Sequence, residues 1–189
     1  SNTMTPLQMM TAAVAAINGG NLLVPRMVDR VIDQDGNTVR EYGTTVKRQV
    51  ISEETSAIMC DALEQVVSAN GGTNAYVKGY RIGGKSGTAQ ILTNDKTGEE
   101  MYVFSYLVFA PADDPQVAAL VLIDSPTQGD RSYANNVVGP LASSVMQDIL
   151  PYLGITTSYT DEELEDQEVL VPSELVGLDT ATAKSKLAG

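Results

Sequence analysis

The sequence predicts an α+β fold in which helices pack on an antiparallel sheet. Apolar residues recur at helical spacing near both ends of residues 1–158, and between these segments three strand-like runs follow one another with only short polar turns. Turns this short join antiparallel neighbours, and a helix that returns over such a sheet completes an α+β layer. We expect residues 1–158 to form this domain, residues 159–168 an acidic linker, and residues 169–189 the start of another module.

The first helix is predicted over residues 6–18. Thr5 is the expected N-cap, Pro6 takes the first helical position, and Gln8 completes a capping box three residues after the cap. The sequence Gly19-Gly20 supplies the C-terminal stop. The face expected to be buried consists of four apolar residues at helical spacing: Leu7, Met10, Val14 and Ile17.

A β-hairpin and a second helix follow. Residues 22–50 are typical of a hairpin that turns at Asp35-Gly36. The second helix is predicted to begin at Ser52, with acidic residues in its first turn, and to end at Asn70-Gly71-Gly72. Its expected buried face is Met59, Leu63, Val66 and Val67.

The sheet and the last helix complete the domain. Strands are predicted over residues 81–93, 102–109 and 117–123, joined by polar turns at 94–100 and 111–115. The last helix is predicted over residues 133–150, with Pro151 stopping it and Pro140 either in its first turns or at a kink. The side chains expected to face inward are Val138, Leu141, Val145 and Ile149.

Composition excludes several kinds of function. The chain of 189 residues has no histidine and one cysteine, so it cannot hold a Ser-His-Asp or Cys-His nucleophile system, a histidine-containing zinc site or an internal disulfide. Any acid–base chemistry must then use lysine, tyrosine or carboxylates. The net charge of −12 argues against a nucleic-acid partner. Residues 161–168 carry six acidic side chains and no basic one, which is typical of a solvated linker.

The chain is expected to be a soluble piece of a longer protein. It lacks any apolar run approaching the roughly 18 to 20 residues of a membrane span. It begins directly against a helix start and stops inside a second helical pattern.

The segment of residues 82–91 is unlike an ordinary strand because glycines replace the β-branched residues that usually fill a sheet surface. Alternation places Ser86, Thr88 and Gln90 on one face, while Lys85 and Gly87 point to the other face or toward the strand edge. Two hydroxyls and an amide beside a lysine would bind a carboxylate and present backbone donors to a carbonyl oxygen. Alternatively, the glycines allow close packing and Lys85 is a solvated edge charge.

Residues 85–90, Lys-Ser-Gly-Thr-Ala-Gln, resemble the K-[ST]-G-T-A-Q strand of the penicillin-binding proteins, serine acyltransferases whose other motifs are S-x-x-K and S-x-N. The helix that begins Thr5-Pro6-Leu7-Gln8 resembles a T-P-L-Q helix of this family, and residues 109–115 resemble the turn between its last two strands. The resemblance covers residues 4 to about 155 in the expected order. The Ala-Gln ending is more similar to the monofunctional class B enzymes than to class A.

The resemblance implies a serine transpeptidase (β-lactamase-like) fold, of which this chain is the C-terminal part, and a peptidoglycan D,D-transpeptidase activity. Lys85 and Thr88 would be catalytic, Lys85 through its charge near the nucleophile and Thr88 through an oxyanion-binding N–H. Ser86 and Thr88 would bind the carboxylate of a D-Ala-D-Ala stem peptide or of a β-lactam. Gly87 would leave room for substrate, and Gln90 is a weaker candidate for contact. The resemblance implies no metal or organic cofactor.

The sequence departs from the family in lacking any S-x-x-K, so the nucleophile and its lysine are absent and the chain is expected to be inactive alone. Ser68-Ala69-Asn70 fits S-x-N, but it is interpreted as a helix end because the family's motif precedes the T-P-L-Q helix. Residues 96–98, Lys-Thr-Gly, are interpreted as a hairpin turn.

Residues 171–173, Val-Pro-Ser, together with Gly177, Ala183 and Leu187, resemble the opening of a PASTA domain, an extracytoplasmic module appended to such enzymes in Gram-positive bacteria. The parent protein is then expected to be membrane-anchored upstream and to act at the extracytoplasmic face in cell-wall synthesis or division. The chain is also expected to associate through an apolar surface on which the absent helices would pack. Two alternatives stay open: a non-catalytic peptidoglycan-binding or division scaffold, and a β-lactam sensor or β-lactamase-like protein.

Overall fold

The structure is a computed structural model that describes residues 4–68, 74–93, 100–127, 133–165 and 177–187. It divides into two compact units, Ser1–Ser158 and Tyr159–Gly189. The elements of the first unit are α1 (Pro6–Ile17), β1 (Asn21–Leu23), β2 (Arg30–Ile32), β3 (Thr38–Glu41), β4 (Val46–Gln49), α2 (Glu53–Ser68), β5 (Gly83–Thr93), β6 (Glu100–Ala110), β7 (Val117–Asp124), a π-helical turn (Ala134–Val138) and α3 (Gly139–Tyr152).

The central sheet has the strand order β5-β6-β7 and is antiparallel throughout, which confirms the three predicted strands. The pairing of β5 with β6 runs from Gly83 opposite Phe109 to Thr93 opposite Glu100, with one irregularity between Gln90 and Leu92. The side chains of Phe104, Tyr106 and Val108 are fully buried on one face of β6 and form the main core with α3. The sheet therefore has a covered face, and β5 lies at one edge.

The first helix begins as predicted. The amide of Gln8 donates to Thr5 Oγ1 at 3.2 Å and the amide of Thr5 donates to Gln8 Oε1 at 2.8 Å, which is the expected capping box. Its buried face is only partly as predicted, since Ile17 is buried but Leu7 is 59% exposed. Leu7, Met10 and Val14 line an open groove between α1 and residues 23–29 instead of packing in the core.

The predicted hairpin is present and consists of two nested pairs. β2 pairs with β3 around the Asp35-Gly36 turn, and β1 pairs with β4 outside them. Asp33 Oδ1 accepts hydrogen bonds from the amides of Asp35 and Asn37, which fixes the turn. The strands β2 and β3 are exposed along their whole length, so this pair forms an arm that contributes nothing to the core.

Helix α2 buries only part of the predicted face. Val67 is buried and Leu63 is half-buried as expected, but Met59 and Val66 are 40% and 42% exposed, and Ser56 and Cys60 are buried in addition. Ser56 Oγ donates to the Ala16 carbonyl at 2.9 Å and accepts from the Gly19 amide at 3.0 Å. These hydrogen bonds to the end of α1 fix the rotation of α2, and apolar spacing carries no information about them.

The buried face of the last helix was also predicted only in part. Val138 is buried as expected, but Leu141 is 46% exposed, Val145 and Ile149 are only partly buried, and the other inward residues are Ala142, Met146 and Leu150. The segment begins with the π-helical turn Ala134–Val138, and the Ser143 hydroxyl donates to the Tyr76 carbonyl at 2.7 Å, which sets the rotation. Pro140 lies in the first turn as expected, but Pro151 lies inside the last turn and does not stop the helix.

The second unit contains two short helices, α4 (Asp161–Glu165) and α5 (Thr180–Leu187). Helix α4 falls within the stretch expected to be a linker, where Thr160 and Glu163 form a capping box. Helix α5 begins where predicted, with the Asp179 carboxylate accepting from the amides of Ala181 and Thr182. The predicted strand at residues 169–171 and the helix end at residues 70–72 lie outside the described residues. Within the described ranges, none of the helices has the length and apolar character needed to cross a membrane.

We predict that Gly83→Ala lowers the free energy of unfolding by about 1–3 kcal/mol, the usual cost of forcing extra volume into a packed core. A Cβ at residue 83 would overlap the ring of Phe109, which is fully buried. Gly43→Ala is the matched control, because Gly43 is exposed and a Cβ there meets nothing within 4 Å. Urea unfolding of both variants measures the difference, and equal stabilities would show that the described packing of Gly83 on Phe109 is wrong.

Candidate functional site

Strand β5 carries the residues singled out in the sequence and lies at the edge of the sheet. Within the described residues it pairs with β6 on one side and with no strand on the other. An edge strand presents a row of backbone N–H and C=O groups that an extended peptide can pair with. The regular pairing from Gly83 to Gln90 includes all of residues 85–90, so the whole candidate motif lies on undistorted strand.

The motif alternates between the two faces of the sheet as predicted. Residues directly opposite one another in a sheet share a face. Ser86 and Thr88 are opposite Tyr106 and Phe104, so they lie on the face covered by α3. Lys85 is opposite Leu107 and lies on the other face, together with Gly87. The free edge of β5 is therefore flanked by hydroxyls on one side and by a lysine on the other.

The Lys85 side chain is exposed, and its ammonium donates to the Ser86 carbonyl oxygen at 2.8 Å. The lysine is therefore folded back along its own strand. A short hydrogen bond to a backbone carbonyl orients the charge but does not remove it from water. The ammonium remains available to a ligand at the strand edge.

The polar side chains on the opposite face are available for binding. Ser86 is half-buried, Thr88 and Gln90 are exposed, and none of their side chains makes a hydrogen bond to another described residue. Behind them lies a row of aromatic rings. The Phe104 ring centroid lies 5.7 Å from that of Tyr102 and 5.0 Å from that of Tyr133, so these hydroxyls are presented from a packed surface.

Glycine is required at the three glycine positions of the segment for different structural reasons. A side chain at Gly83 would overlap the Phe109 ring, and one at Gly84 would press on the Leu107 carbonyl and the Val67 side chain, so both are required for packing. A Cβ at Gly87 would lie 2.5 Å from Ser105 Oγ on β6. The alternative explanation from the sequence, close packing, is therefore correct for the first two glycines, while Gly87 opens the Lys85 face of the sheet.

An ion-pair cluster fixes the start of β5. The Arg81 guanidinium donates to both carboxylate oxygens of Glu64 on α2, at 2.7 and 2.6 Å, and contacts the Asp113 carboxylate at 2.6 Å. The hydrogen bonds that Arg81 donates to Glu64 are the largest cause that raises the pKa of Arg81, so the guanidinium stays charged. The backbone carbonyl oxygen of Arg81 accepts a hydrogen bond from the Ala112 amide at 2.9 Å. Arg81 thus joins α2 and the β6–β7 turn four residues before Lys85.

Ser68 and Cys60 lie on helix α2 and not on this strand. Ser68 Oγ donates to the Glu64 carbonyl at 3.0 Å, as a helix-end residue does, while the other two residues of that S-x-N match lie outside the described residues, as do residues 96–98. Cys60 is buried, and burial followed by the charge of Asp61 raises the pKa of its thiol, which makes it a poor nucleophile.

Three features of the site were missed by sequence reasoning: Arg81, Ser105 and the aromatic row. The row had a signal, because Tyr102, Phe104 and Tyr106 recur at every second position of β6. The partners of Arg81 and the position of Ser105 opposite Gly87 depend on pairing between distant segments of the chain, which no local sequence pattern predicts.

The chain is similar in sequence to penicillin-binding proteins. Residues 1–147 match the family described as penicillin binding protein transpeptidase domain. The chain is 37% identical over 190 residues to Stage V sporulation protein D of Bacillus subtilis, covering 98% of this chain and 29% of that protein. It is 29% identical over 160 residues to the peptidoglycan D,D-transpeptidase FtsI homolog of Mesostigma viride, covering 78% of this chain and 27% of that protein. The chain thus spans less than a third of these relatives.

Solved structures show the same fold. Penicillin binding protein 3 from Mycobacterium tuberculosis, complexed with ampicillin, matches with a TM-score of 0.68 and 26% identity, over 84% of this chain and 37% of that one. The transpeptidase domain of penicillin-binding protein 3 from Burkholderia pseudomallei matches with a TM-score of 0.60 and 29% identity, over 81% of this chain and 44% of that one. The predicted α+β serine transpeptidase fold is confirmed.

We predict that Arg81→Gln lowers the free energy of unfolding by about 1–3 kcal/mol, because it leaves two carboxylates without their shared cation. Arg26→Gln is the matched control: Arg26 pairs with the exposed Asp29 at 3.1 Å, and pairs of that kind contribute about 0–1 kcal/mol. Urea unfolding at low and high salt checks both variants. Equal losses for the two variants would show that the cluster does not anchor β5.

Proposed function

Because the chain belongs to the penicillin-binding protein transpeptidase family, we propose that it forms one wall of the active site of a peptidoglycan D,D-transpeptidase. The observation that carries the proposal is the open edge of β5, which presents Lys85, Ser86, Gly87, Thr88 and Gln90 in regular strand geometry. A stem peptide ending in D-Ala-D-Ala is an extended chain with a carboxylate, and an edge strand flanked by hydroxyls and an ammonium is complementary to it. β-Lactams carry the corresponding carboxylate.

The two faces of β5 would hold the substrate from both sides. Ser86 and Thr88 donate hydroxyl hydrogen bonds to the carboxylate from one face, and Gln90 extends that polar row. Lys85 brings its positive charge from the other face. The Thr88 N–H donates to the carbonyl oxygen that becomes an oxyanion. Gly87 keeps the strand free of a side chain between these groups, so the peptide backbone can approach.

The chemistry proposed is acyl transfer through a serine. A serine from the remainder of the domain attacks the carbonyl of the penultimate D-alanine, its proton passes to the departing amine, and the terminal D-alanine leaves. An amine of a neighbouring stem peptide then takes the acyl group and restores the serine. The positive charge of Lys85 favours the ionised serine and the oxyanion. The described residues supply binding and charge, and the proposal assigns the nucleophile to the part of the relatives' length that this chain does not span.

Exposed apolar side chains support the assignment of a missing part. Each of the three helices buries some of its residues but leaves large apolar side chains 40–59% exposed. These are Leu7 on α1, Met59 and Val66 on α2, and Leu141 on α3. Surfaces of this kind usually mark contact sites. We assign them to packing against the remainder of the domain, or to association of the chain with itself when that remainder is absent.

The setting proposed is the extracytoplasmic face of the cell membrane, with the parent protein anchored upstream. The match to the Stage V sporulation relative covers 98% of this chain and therefore extends into residues 159–189. The PASTA start at residues 169–189 stays a proposal, supported by the resemblance of residues 171–187 alone. We likewise propose domain boundaries at residues 158 and 168, the first of which coincides with the division of the chain into compact units.

We predict that a fluorescent penicillin labels the parent protein covalently but not the 189-residue chain, since the chain has no S-x-x-K serine. Gel fluorescence after incubation and denaturation is the measurement. Labelling of the short chain would contradict the assignment of the nucleophile. An unlabelled parent protein would favour the scaffold alternative, and labelling followed by rapid release would favour a sensor or β-lactamase-like protein.

We also predict that Thr88→Val in the parent protein reduces the second-order rate constant for penicillin acylation by about 10- to 100-fold, because a hydrogen bond to a charged group contributes about 1.5–3 kcal/mol. Ser86→Ala should act in the same direction. Thr38→Val, on the exposed strand β3, is the control and should leave the rate unchanged. Equal rates for Thr88→Val and the control would remove Thr88 from the site.

A further inference from the structure

One hydroxyl on the Lys85 face of the sheet has no role in the proposed function as described above. Ser105 on β6 lies directly opposite Gly87, and a Cβ on Gly87 would come within 2.5 Å of Ser105 Oγ. The Ser105 hydroxyl therefore occupies the space that a side chain at residue 87 would take. Ser105 is half-buried, and among the described residues its hydroxyl has no hydrogen-bond partner.

On its own face of the described sheet, Ser105 has apolar direct neighbours and two charged diagonal neighbours, Lys85 on β5 and Asp124 on β7. Its neighbours on the same face are Leu107 and Val103 along β6, and Leu122 opposite on β7. A polar group in such surroundings is stabilised by acquiring a hydrogen-bond partner. The Asp124 carboxylate, which accepts from the Ser125 hydroxyl at 2.7 Å, can only accept, so Lys85 is the charged neighbour that can donate to the Ser105 oxygen.

Lys85 is within reach of Ser105. Lys85 is opposite Leu107, which is two residues from Ser105, so the two residues are diagonal neighbours on one face. The Cβ atoms of diagonal neighbours are somewhat less than about 7–8 Å apart, a distance that a long side chain spans. The position between them on β5 is Gly87, which places no atom in the path. In the structure the ammonium donates to the Ser86 carbonyl oxygen at 2.8 Å, so the contact with Ser105 requires the exposed lysine side chain to change its conformation.

We propose that Ser105 is a positioning residue for Lys85. Its hydroxyl accepts a hydrogen bond from the Lys85 ammonium across the gap left by Gly87. The contact holds the positive charge over the Lys85 face of the sheet instead of along the strand edge. Gly87 then serves two groups, the hydroxyl of β6 and the lysine of its own strand. The catalytic consequence of this contact rests on the proposed function, whereas the contact between Lys85 and Ser105 does not depend on it.

The contact is tested on the 189-residue chain with a limiting amount of an amine-acylating reagent, followed by mass spectrometry of each lysine. Ser105→Ala should raise the modification rate of Lys85 about threefold, as expected for loss of one ordinary hydrogen bond. Ser105→Thr, which keeps the hydroxyl, should restore the rate of the original chain. Lys47 on β4 is the internal control and should react equally in all variants. An unchanged Lys85 rate in Ser105→Ala overturns the proposal.

A double variant separates hydrogen bonding from packing. In Gly87→Ala with Ser105→Ala, the new Cβ would lie 3.9 Å from the Cβ of residue 105, an ordinary contact, so the sheet is refilled without the hydroxyl. Lys85 should remain as reactive as in Ser105→Ala while thermal stability returns toward that of the original chain. Return of the original Lys85 rate in this double variant would show that Ser105 acts only by filling space, which overturns the proposal.

The catalytic consequence is tested in the parent protein. Ser105→Ala should lower the maximal rate of penicillin acylation about threefold and leave the penicillin concentration for half-maximal rate unchanged, because the hydroxyl orients Lys85 and does not touch the ligand. Ser105→Thr should restore the rate. If the original parent protein is not acylated, the proposed function fails, and the lysine-modification result on the short chain still decides the contact between Lys85 and Ser105.

Discussion

The open side of β5 is the constraint on which the rest of the chain depends. A strand hydrogen-bonded on one side has half of its backbone groups directed away from the sheet, and these must bind water or another peptide. Natural proteins usually cover or interrupt such an edge, yet here it runs through Gly83–Thr93. An exposed lysine and two hydroxyl residues beside it discourage pairing with other strands. In the proposed site the same polar groups would select a ligand that carries a carboxylate.

The surrounding elements hold this edge in place at its beginning. Gly83 and Gly84 allow the strand to lie directly against a buried ring and the end of α2. Arg81 ties the strand to α2 and to the β6–β7 turn through two carboxylates. Helix α2 is in turn locked to α1 by the buried Ser56 hydroxyl. The packing and ion-pair contacts are therefore concentrated at the beginning of the strand, and the residues proposed to face a ligand follow immediately after them.

The sequence was informative where structure is determined locally. The capping box of Thr5 and the antiparallel order of the strands were predicted because caps and short turns involve neighbouring residues. The buried faces of α2 and α3 were predicted only in part, with Met59 and Leu141 wrongly assigned to the core, because hydrogen bonds to distant backbone groups fix the rotations of these helices. At the site, the motif residues and their alternation were predictable from spacing. The position of Ser105 beside Gly87 was not predictable, since it requires knowing which residue of β6 lies opposite Gly87.

The most direct test of the account is a crystal structure of the parent protein after reaction with a penicillin. The account predicts an acyl group that lies along the open side of β5, with its carboxylate within hydrogen-bonding distance of the Ser86 and Thr88 hydroxyls and its carbonyl oxygen on the Thr88 N–H. Lys85 should then lie on the opposite face from the carboxylate. A structure in which another strand of the protein pairs along that side of β5, with the acyl group bound elsewhere, would contradict the account.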